Sequence, residues 1–241
     1  MVRYWHLSQR FGQRTLEMDF LGEFGVQHGM VVRPSEGNLD EEAAYVRMSA
    51  GHRTVATHQV HGTEICRVDS RFNSFFPQRV TADGLMTDQP GVLLTIHTAD
   101  CLPIFLSSGD GRYVALLHAG WKGTSQGMAR RGAESFCREY DLSPREVVCA
   151  IGPGIEADCY QVTAEVAGLF PEKCLSPEAP GRWKLDLRRA NREQLIDAGI
   201  NPCNIYVSDM CTSCRDDLFH SYRREKQLKG AMISYMEASH G

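Results

Sequence analysis

Apolar residues along the chain follow two spacings, which predict where strands and helices lie. Short runs rich in Val, Ile and Leu, bounded by turn residues, predict buried strands, and apolar positions three or four residues apart predict helices. Strands are predicted within 14–20, 53–68 with an interruption at Gly62, 91–108 with an irregular turn at 100–103, 112–121, 146–155, 204–209, 218–224 and 230–236. Helices are predicted over 41–50, 124–140, 162–170 and 185–199.

Capping residues mark the ends of two of these helices. Asp40 precedes the first helix as an N-cap, and Gly51 follows its last residue. Asp186 and Gly199 take the corresponding places around the last helix. The first 35 residues show no clean periodicity outside one alternating segment, so little else is predicted there.

Strands and helices are intermixed along the chain without a strict strand-helix-strand rhythm. This order favours the α+β class over a doubly wound α/β sheet. No internal repeat, low-complexity tract or Gly/Ser-rich linker marks a boundary between domains. We therefore expect a single domain over residues 1–241.

Composition narrows the class of protein. Of the 241 residues, 42% are hydrophobic and 23% are charged, which is ordinary for a folded protein with a sizeable core. A formal charge of −4 argues against nucleic acid as a partner, because such binding depends on the release of counterions. No stretch has the pattern of a signal peptide or a membrane helix, so we expect a cytoplasmic protein with no membrane partner. The nine cysteines are odd in number and widely spread, which favours reduced thiols.

Three residues at the ends of predicted strands carry the most informative chemistry. His61 lies in HQVHGTE, Cys101 in HTADCLP and His118 in LLHAGWKG. Each lies where an apolar strand breaks into a turn, so side chains of separate strands can converge at one sheet end. Two imidazoles and a thiolate suit Zn²⁺, and three protein ligands leave a fourth position for water or substrate. The wide spacing is also compatible with the commoner roles of packed cysteine and hydrogen-bonded histidine.

Two other kinds of chemistry would use the same residues. A His₂Cys set with an axial Met is the blue-copper arrangement, but a multicopper oxidase also needs a second, histidine-rich cluster. The nine histidines include no His-x-His pair, which disfavours polyphenol oxidation. A hydrolase or acyltransferase would instead use Cys101 as nucleophile and His118 as base, and such a dyad does not require His61.

Other polar residues are weaker candidates. Asp83 in TADGL and Asp100 beside Cys101 would transfer protons, cap a turn or orient a metal-bound histidine. The candidates for binding phosphate are Arg33, Lys122, Arg223 and Arg224. Cys211 and Cys214 form a C-x-x-C pair, which can signal a redox dithiol or half of a zinc site. Because the chain has no second such pair, we expect a structural or incidental role for these two cysteines.

Several strings occur in a fixed order along the chain: HQVHGTEI, ADGLMTD, TADCLPIFL, LLHAGWKGT, IGPGI with Cys159 and Tyr160, and CTSCRDDLFHSYRR. Together they resemble the YfiH/laccase-domain family, once named multicopper polyphenol oxidoreductases, and the resemblance covers roughly residues 22–236. The resemblance implies a single zinc ion held by His61, Cys101 and His118. We also expect a domain of the family's type, with mixed sheets in a layered α/β/β/α arrangement.

The function that the resemblance implies is purine nucleoside chemistry. It comprises phosphorolysis of adenosine, inosine and methylthioadenosine, with phosphate as co-substrate, and deamination of adenosine. On this hypothesis Asp100 or Asp83 moves protons, and Arg33, which matches a family arginine, is a further catalytic candidate. The chain lacks the Gly-Gly loop that family members carry near the start, a departure that bears on substrate preference. A zinc-stabilised protein that acts through a partner is the non-catalytic alternative.

Overall fold

The computed structural model describes residues 5–33, 41–74, 77–227 and 229–239. Its strands are β1 (Trp5–Arg10), β2 (Gln13–Met18), β3 (Gln27–Val31), β4 (Arg53–His58), β5 (Ile65–Val68), β6 (Gln78–Thr81), β7 (Gly84–Thr87), β8 (Val92–Thr98), β9 (Leu102–Ser107), β10 (Val114–Ala119), β11 (Val148–Ile151), β12 (Gln161–Thr163), β13 (Leu175–Ala179), β14 (Arg182–Leu185), β15 (Ile205–Val207) and β16 (Met232–Glu237). Its α-helices are α1 (Asp19–Gly22), α2 (Glu41–Ser49), α3 (Trp121–Ser125), α4 (Met128–Glu139), α5 (Ala164–Ala167), α6 (Leu187–Asp197) and α7 (Tyr222–Glu225). Short 3₁₀ turns lie at Pro144–Glu146, Ala157–Cys159, Glu172–Cys174 and Pro202–Asn204. Within the described ranges, every helix falls short of the length and apolar character that crossing a membrane requires.

The strands form two large mixed sheets and one small one. The first sheet has the order β1-β2-β3-β16-β8-β4-β6, and the second has the order β15-β11-β9-β10-β7-β5. Most neighbours are antiparallel, but β4 runs parallel to both β6 and β8, β5 runs parallel to β7, and β11 runs parallel to β15. The small sheet, β12-β14-β13, is antiparallel. This mixture confirms the α+β prediction.

The two large sheets pack face to face around a shared apolar core. Leu94 and Ile96 of β8 lie in one buried cluster with Phe105 of β9 and Leu116 of β10. All four side chains are fully buried. Because successive residues of a strand point to opposite faces, this cluster takes only one face of each sheet.

Helices cover the outer faces of both sheets. Ile104 and Leu117 of the second sheet pack in one cluster with Ala129 and Phe136 of α4. On the first sheet, Met48 of α2 belongs to a separate cluster that includes Leu93 and Ile233. The layers therefore follow the predicted order α/β/β/α, and the strands read as continuous apolar runs because both of their faces are buried.

Helix ends depend on a few local residues. The Asp186 carboxylate accepts a hydrogen bond from the Arg189 N–H at 2.8 Å, which confirms its capping role at α6. The single helix predicted over 124–140 is instead two, α3 and α4, because Gly127 between them has φ +86°. Asp40 lies outside the described residues.

Two further predictions of secondary structure are wrong in part or in whole. Residues 218–224 do not form a strand, because the Ser221 hydroxyl accepts a hydrogen bond from the Arg224 N–H and starts α7 instead. The helix predicted over 162–170 is limited to α5, since β12 takes Gln161–Thr163 into the small sheet. At β12 tertiary strand pairing overrides the local pattern. At residues 218–224 the local Ser221 cap does so, together with the hydrogen bond from the backbone N–H of Arg223 to distant Asp100. The structure also adds seven strands that were not predicted from the sequence: β1, β3, β6, β7, β12, β13 and β14.

Candidate metal centre

His61, Cys101 and His118 meet where strands of the two sheets end. His61 lies between β4 and β5, Cys101 directly precedes β9, and His118 is near the end of β10. A ligand atom from each lies within 4.8 Å of the others. The two imidazole rings have centroids 4.9 Å apart at an interplanar angle of 80°. The predicted convergence of the three side chains is thus a feature of the fold.

Strand register brings the groups of the centre together. β10 pairs with β9 so that Ala119 lies opposite Leu102, which sets His118 beside the turn that carries Cys101. β10 also pairs with β7, with Leu117 opposite Gly84. Because Asp83 precedes Gly84, this second pairing sets its carboxylate beside His118.

The His61 turn is held by the carboxylate of Asp83. His61 has φ +59°, a left-handed conformation that costs a residue with a β-carbon roughly 1–2 kcal/mol. The N–H groups of His61 and Gly62 donate to Asp83 at 3.0 and 2.7 Å, and the Val60 N–H donates at 3.2 Å. These three hydrogen bonds stabilise a turn that places the exposed His61 ring at the centre.

The same carboxylate orients His118. Nδ1 of His118 lies 2.8 Å from Oδ1 of Asp83, and both side chains are buried. With Nδ1 engaged, Nε2 is the nitrogen available to a metal, an arrangement typical of metal-binding histidines. Burial opposes the charge of Asp83, but the bonds from His118 and the Gly62 N–H keep the pKa of Asp83 below its usual range. Of the roles considered for Asp83, its contacts favour orienting a histidine.

Cys101 and His118 interact strongly. Burial disfavours the thiolate, but His118 and His61 together lower the pKa of Cys101 to about 6. Burial also opposes the charge of His118, yet Cys101 and Asp83 raise its pKa to about 9. Without a metal, the two groups therefore form a thiolate-imidazolium pair near neutral pH.

The surroundings of the three donors fit a zinc ion. A β-carbon added at Gly120 would lie 2.8 Å from Sγ of Cys101 and 3.2 Å from Cδ2 of His61, so only glycine leaves these two groups their positions. Two imidazole nitrogens and one thiolate match the ligand preference of Zn²⁺, and their number leaves one coordination position open. His61, Cys101 and His118 are the residues that would hold it.

Asp100 has a different place from the three donors. Its Oδ1 accepts a hydrogen bond from the Thr212 hydroxyl at 2.7 Å, and its Oδ2 accepts one from the Arg223 N–H at 2.7 Å. Its carbonyl accepts the Ile155 N–H at 3.0 Å, and its φ is +85°. Asp100 thus ties the turn before Cys101 to the C-terminal part of the chain.

The four predicted basic residues have different surroundings. Arg224 donates to the carbonyls of Thr212, Ser213 and Phe219. Arg33, which is 41% exposed, lies 3.6 Å from Glu225 and 3.4 Å from the Asp216 carbonyl. These two residues support the C-terminal segment.

Lys122 and Arg223 lie beside aromatic rings. Nζ of Lys122 is 5.6 Å from the ring centroid of Trp121. The guanidinium of Arg223 lies 5.2 Å from the ring centroid of Tyr160 and donates to the Gln161 carbonyl at 2.9 Å. The backbone N–H of Arg223 donates to the Asp100 carboxylate, so this arginine is directly linked to the turn that carries Cys101.

The buried cation Arg188 was not predicted from the sequence as a candidate residue. Arg188 of α6 is 9% exposed and donates to the carbonyls of Gly154 and Met210 and to the Glu156 carboxylate. It joins the turn after β11 to the loop that follows β15. Its position on the apolar side of α6, next to Leu187, was the available signal.

Comparison with known proteins extends over most of the chain. Residues 29–239 match the family model described as multi-copper polyphenol oxidoreductase laccase. Purine nucleoside phosphorylase YlmD of Geobacillus stearothermophilus is 39% identical over 196 residues, 76% of this chain and 72% of that protein. Adenosine deaminase RL5, from an unknown prokaryotic organism, is 34% identical over 182 residues, 70% of this chain and 69% of that protein. The crystal structure of YlmD from Geobacillus stearothermophilus superposes with a TM-score of 0.85 at 28% identity, covering 99% of this chain and 100% of that one.

Proposed function

Because this chain belongs to the family described as multi-copper polyphenol oxidoreductase laccase, whose members include proteins named purine nucleoside phosphorylase and adenosine deaminase, we propose that it is a zinc-dependent purine nucleoside enzyme. Its reactions are phosphorolysis of adenosine, inosine or methylthioadenosine and deamination of adenosine. The observation that carries the proposal is the convergence of His61, Cys101 and His118 into a three-donor centre. A centre with three protein ligands is typical of catalytic zinc.

His61, Cys101 and His118 would hold the zinc ion. When bound, zinc supplies Lewis acidity that polarises an oxygen of water or substrate. Asp83 keeps His118 in one orientation and holds the His61 turn, so the positions of two donors depend on one carboxylate. Asp83 is fully buried, and we assign it a positioning role.

Phosphorolysis requires the chain to hold an anion beside the ribose. The bond from C1′ to the purine nitrogen breaks, a phosphate oxygen bonds to C1′, and the departing base takes up a proton, which yields free purine and a ribose 1-phosphate. Arg223 is the best-placed cation because its backbone N–H donates to the carboxylate of Asp100, the residue before Cys101. Arg33 is half-exposed, its guanidinium makes two long polar contacts with described residues, and it stays the second candidate for phosphate binding.

Deamination requires water at C6 of the purine, with ammonia as the leaving group. Both carboxylate oxygens of Asp100 already accept hydrogen bonds, from Thr212 and from the Arg223 N–H. We therefore propose that Asp100 positions the Cys101 turn, and that the proton transfers use water or substrate groups at the open face of the centre. The exposed His61 ring lies on that face.

The test combines metal analysis with a nucleoside assay, with and without phosphate. The informative variant is His61→Asn, since asparagine tolerates the left-handed conformation of residue 61 but removes the imidazole. We expect His61→Asn to bind about one zinc ion fewer per chain than the wild type. Turnover should fall at least about 100-fold, the scale of losing one positioned catalytic group. His6→Asn, on the exposed β1, is the matched control and should retain zinc and activity. Full turnover in His61→Asn would refute the proposal.

A second function is favoured by one specific observation. Asp83, His118 and Cys101 form a continuous acid-imidazole-thiol series, which is the arrangement of a cysteine hydrolase or acyltransferase. In that case iodoacetamide would label Cys101 in the metal-free protein and abolish cleavage of an amide or ester, and His61→Asn would leave that activity intact. Loss of zinc-dependent nucleoside turnover in His61→Asn would support the zinc enzyme. Retained cleavage of an amide or ester in the same variant would support the cysteine hydrolase or acyltransferase.

A non-catalytic role makes its own prediction. If the metal only stabilises a protein that acts through a partner, chelation should unfold the chain, and no nucleoside should turn over at any phosphate concentration. We propose a cytoplasmic location and one domain over residues 1–241 for the enzyme. Cell fractionation and the cooperativity of urea unfolding test these two statements.

A further inference from the structure

A second group of potential metal ligands lies apart from the first centre. The Sγ atoms of Cys159, Cys211 and Cys214 all lie within 4.8 Å of one another. Those of Cys159 and Cys214 are 3.4 Å apart. Cys159 ends a 3₁₀ turn, and the other two cysteines lie in the loop after β15, so the cluster joins segments 55 residues apart.

We propose that these three thiols form a second metal site, which takes a thiophilic divalent cation such as Zn²⁺. Three sulfurs held at about 2.3 Å from one tetrahedral zinc ion lie about 3.8 Å from each other. The sulfur separations here, from 3.4 Å to at most 4.8 Å, bracket that value. Small rotations of the side chains would therefore suffice to bind the ion.

The backbone around the cluster is already held in place. Gly154 and Cys211 form a parallel bridge, and the Thr212 N–H donates to the Gly154 carbonyl at 3.1 Å. The Arg215 N–H donates to the Cys211 carbonyl at 3.1 Å, which closes the turn between the two loop cysteines. The chain therefore presents these sulfurs from a preformed loop.

Nearby charge is suited to a site that carries net negative charge. Three thiolates around one divalent ion leave a charge of about −1. The guanidinium of Arg224 donates to the carbonyls of Thr212 and Ser213, the two residues between Cys211 and Cys214. This cation lies beside the loop and would offset part of the negative charge of the occupied site.

Three cysteines favour a metal over a disulfide. A disulfide joins two sulfurs at about 2.05 Å and would leave the third without a role. A disulfide would also need an oxidant to accept two electrons, whereas metal binding only releases protons from the thiols. The buried Cys211 and the exposed Cys214 lie on the inner and outer sides of the group, so an ion has access from solvent.

The second site would support the first through one hydrogen bond. Thr212 follows Cys211 and donates its hydroxyl to Asp100, which precedes Cys101. A metal at the cysteine cluster would hold this loop and with it the turn of the first centre. We assign it the role of holding this loop, on the ground of that hydrogen bond. With three protein ligands, its fourth position, like that of the first centre, is left to water or another small ligand.

The test uses the full-length chain without the first centre, made by combining His61→Asn and Cys101→Ser. Titration with Cd²⁺ under anaerobic, reducing conditions is followed by the ultraviolet thiolate-to-cadmium absorption and by native mass spectrometry. We expect this chain to bind one ion with the absorption of three thiolates, and the wild type to bind two. Because the first centre is removed, the result does not depend on whether that centre binds zinc.

Single cysteine variants on this background identify the ligands. Cys214→Ser and Cys159→Ser should each weaken Cd²⁺ binding at least about 100-fold, and circular dichroism checks that they stay folded. Cys203→Ser is the matched control, since Cys203 is exposed and outside the cluster, and it should bind normally. Absence of binding in the parent chain, or unchanged binding in Cys214→Ser, would overturn the proposal. A disulfide between Cys159 and Cys214 in protein purified anaerobically with zinc would also overturn it.

Discussion

Oδ1 of Asp83 lies 2.8 Å from Nδ1 of His118, and the same carboxylate accepts the backbone N–H groups of Val60, His61 and Gly62. One buried acid thus orients one imidazole donor through its ring and places a second through its backbone. The pairing of β10 with β9 brings Cys101 beside these two histidines. The geometry of the centre therefore depends on Asp83, a fully buried residue that need not touch the metal.

Replacing Asp83 with asparagine should weaken metal binding. The asparagine side chain would offer one acceptor oxygen, so some of the four N–H donors would lose their partner, and the negative charge near His118 would disappear. We expect metal affinity to fall about 10–100-fold and the free energy of unfolding to fall by about 1–3 kcal/mol. Competition with a chromophoric chelator and urea unfolding measure the two effects.

The control for this substitution is Asp141→Asn. Asp141 is exposed and has φ +51°, which asparagine also tolerates, so metal affinity and stability should not change. Wild-type metal affinity in the Asp83 variant would show that the carboxylate does not organise the centre.

Adding a methyl group at Gly120 should disturb the centre without changing the local backbone. Gly120 has φ −80°, which alanine adopts readily, but its β-carbon would meet Sγ of Cys101 at 2.8 Å. Overpacking of this kind costs about 1–3 kcal/mol, and we expect at least a tenfold loss of metal affinity. Gly22→Ala is the control because no atom of the described residues lies within 4 Å of its added β-carbon. Equal metal affinity in the two variants would contradict the steric argument.

Removing the Thr212 hydroxyl should destabilise the link between the C-terminal loop and the Cys101 turn. Thr212→Val keeps the side-chain shape but leaves Oδ1 of Asp100 without its donor at 2.7 Å. We expect the free energy of unfolding to fall by about 1–3 kcal/mol, since a buried acceptor loses its partner. Thr81→Val, at the exposed end of the edge strand β6, should change it by less than about 0.5 kcal/mol. Equal urea midpoints for the two variants would count against the link.

Metal affinity should depend on pH in a defined direction. With a pKa of about 6 for Cys101 and about 9 for His118, the metal-free pair at neutral pH carries its proton on the imidazole. A metal takes the thiolate and the neutral imidazole, so binding releases about one proton from His118. Apparent affinity should therefore rise about tenfold per pH unit from about pH 6 to about pH 9. Calorimetry in two buffers of different ionisation enthalpy measures the proton release, and a flat profile would exclude this charge state.

Phosphate dependence should identify the cation that binds the anion. Arg223→Gln should raise the KM for phosphate at least about tenfold, because a hydrogen bond to a charged group is worth about 1.5–3 kcal/mol. It should leave the amount of bound zinc unchanged. Arg33→Gln should have a smaller effect if Arg223 is the main partner. Arg145→Gln, in an exposed 3₁₀ turn, serves as the control. A larger effect at Arg33 than at Arg223 would reverse the assignment.

Several features could be predicted because they depend on neighbouring residues. The ends of α6 follow from Asp186 and Gly199, since capping and positive φ are properties of a few adjacent residues. The buried strands β8 and β9 follow from their continuous apolar runs. The failure at residues 218–224 has two causes. The Ser221 cap is a local signal that the apolar pattern obscured, and the hydrogen bond from the backbone N–H of Arg223 to Asp100 joins segments that are distant in the sequence.

The sequence by itself determined the kinds of donor available and the strand ends at which they lie. It also made the paired cysteines Cys211 and Cys214 visible, but not their third partner. Only the tertiary structure decided that Cys159 joins them, that Asp83 serves two donors at once, and that Asp100 is bound on both oxygens. These relations depend on strand register and loop packing between distant segments, and local periodicity carries no information about which distant segments meet.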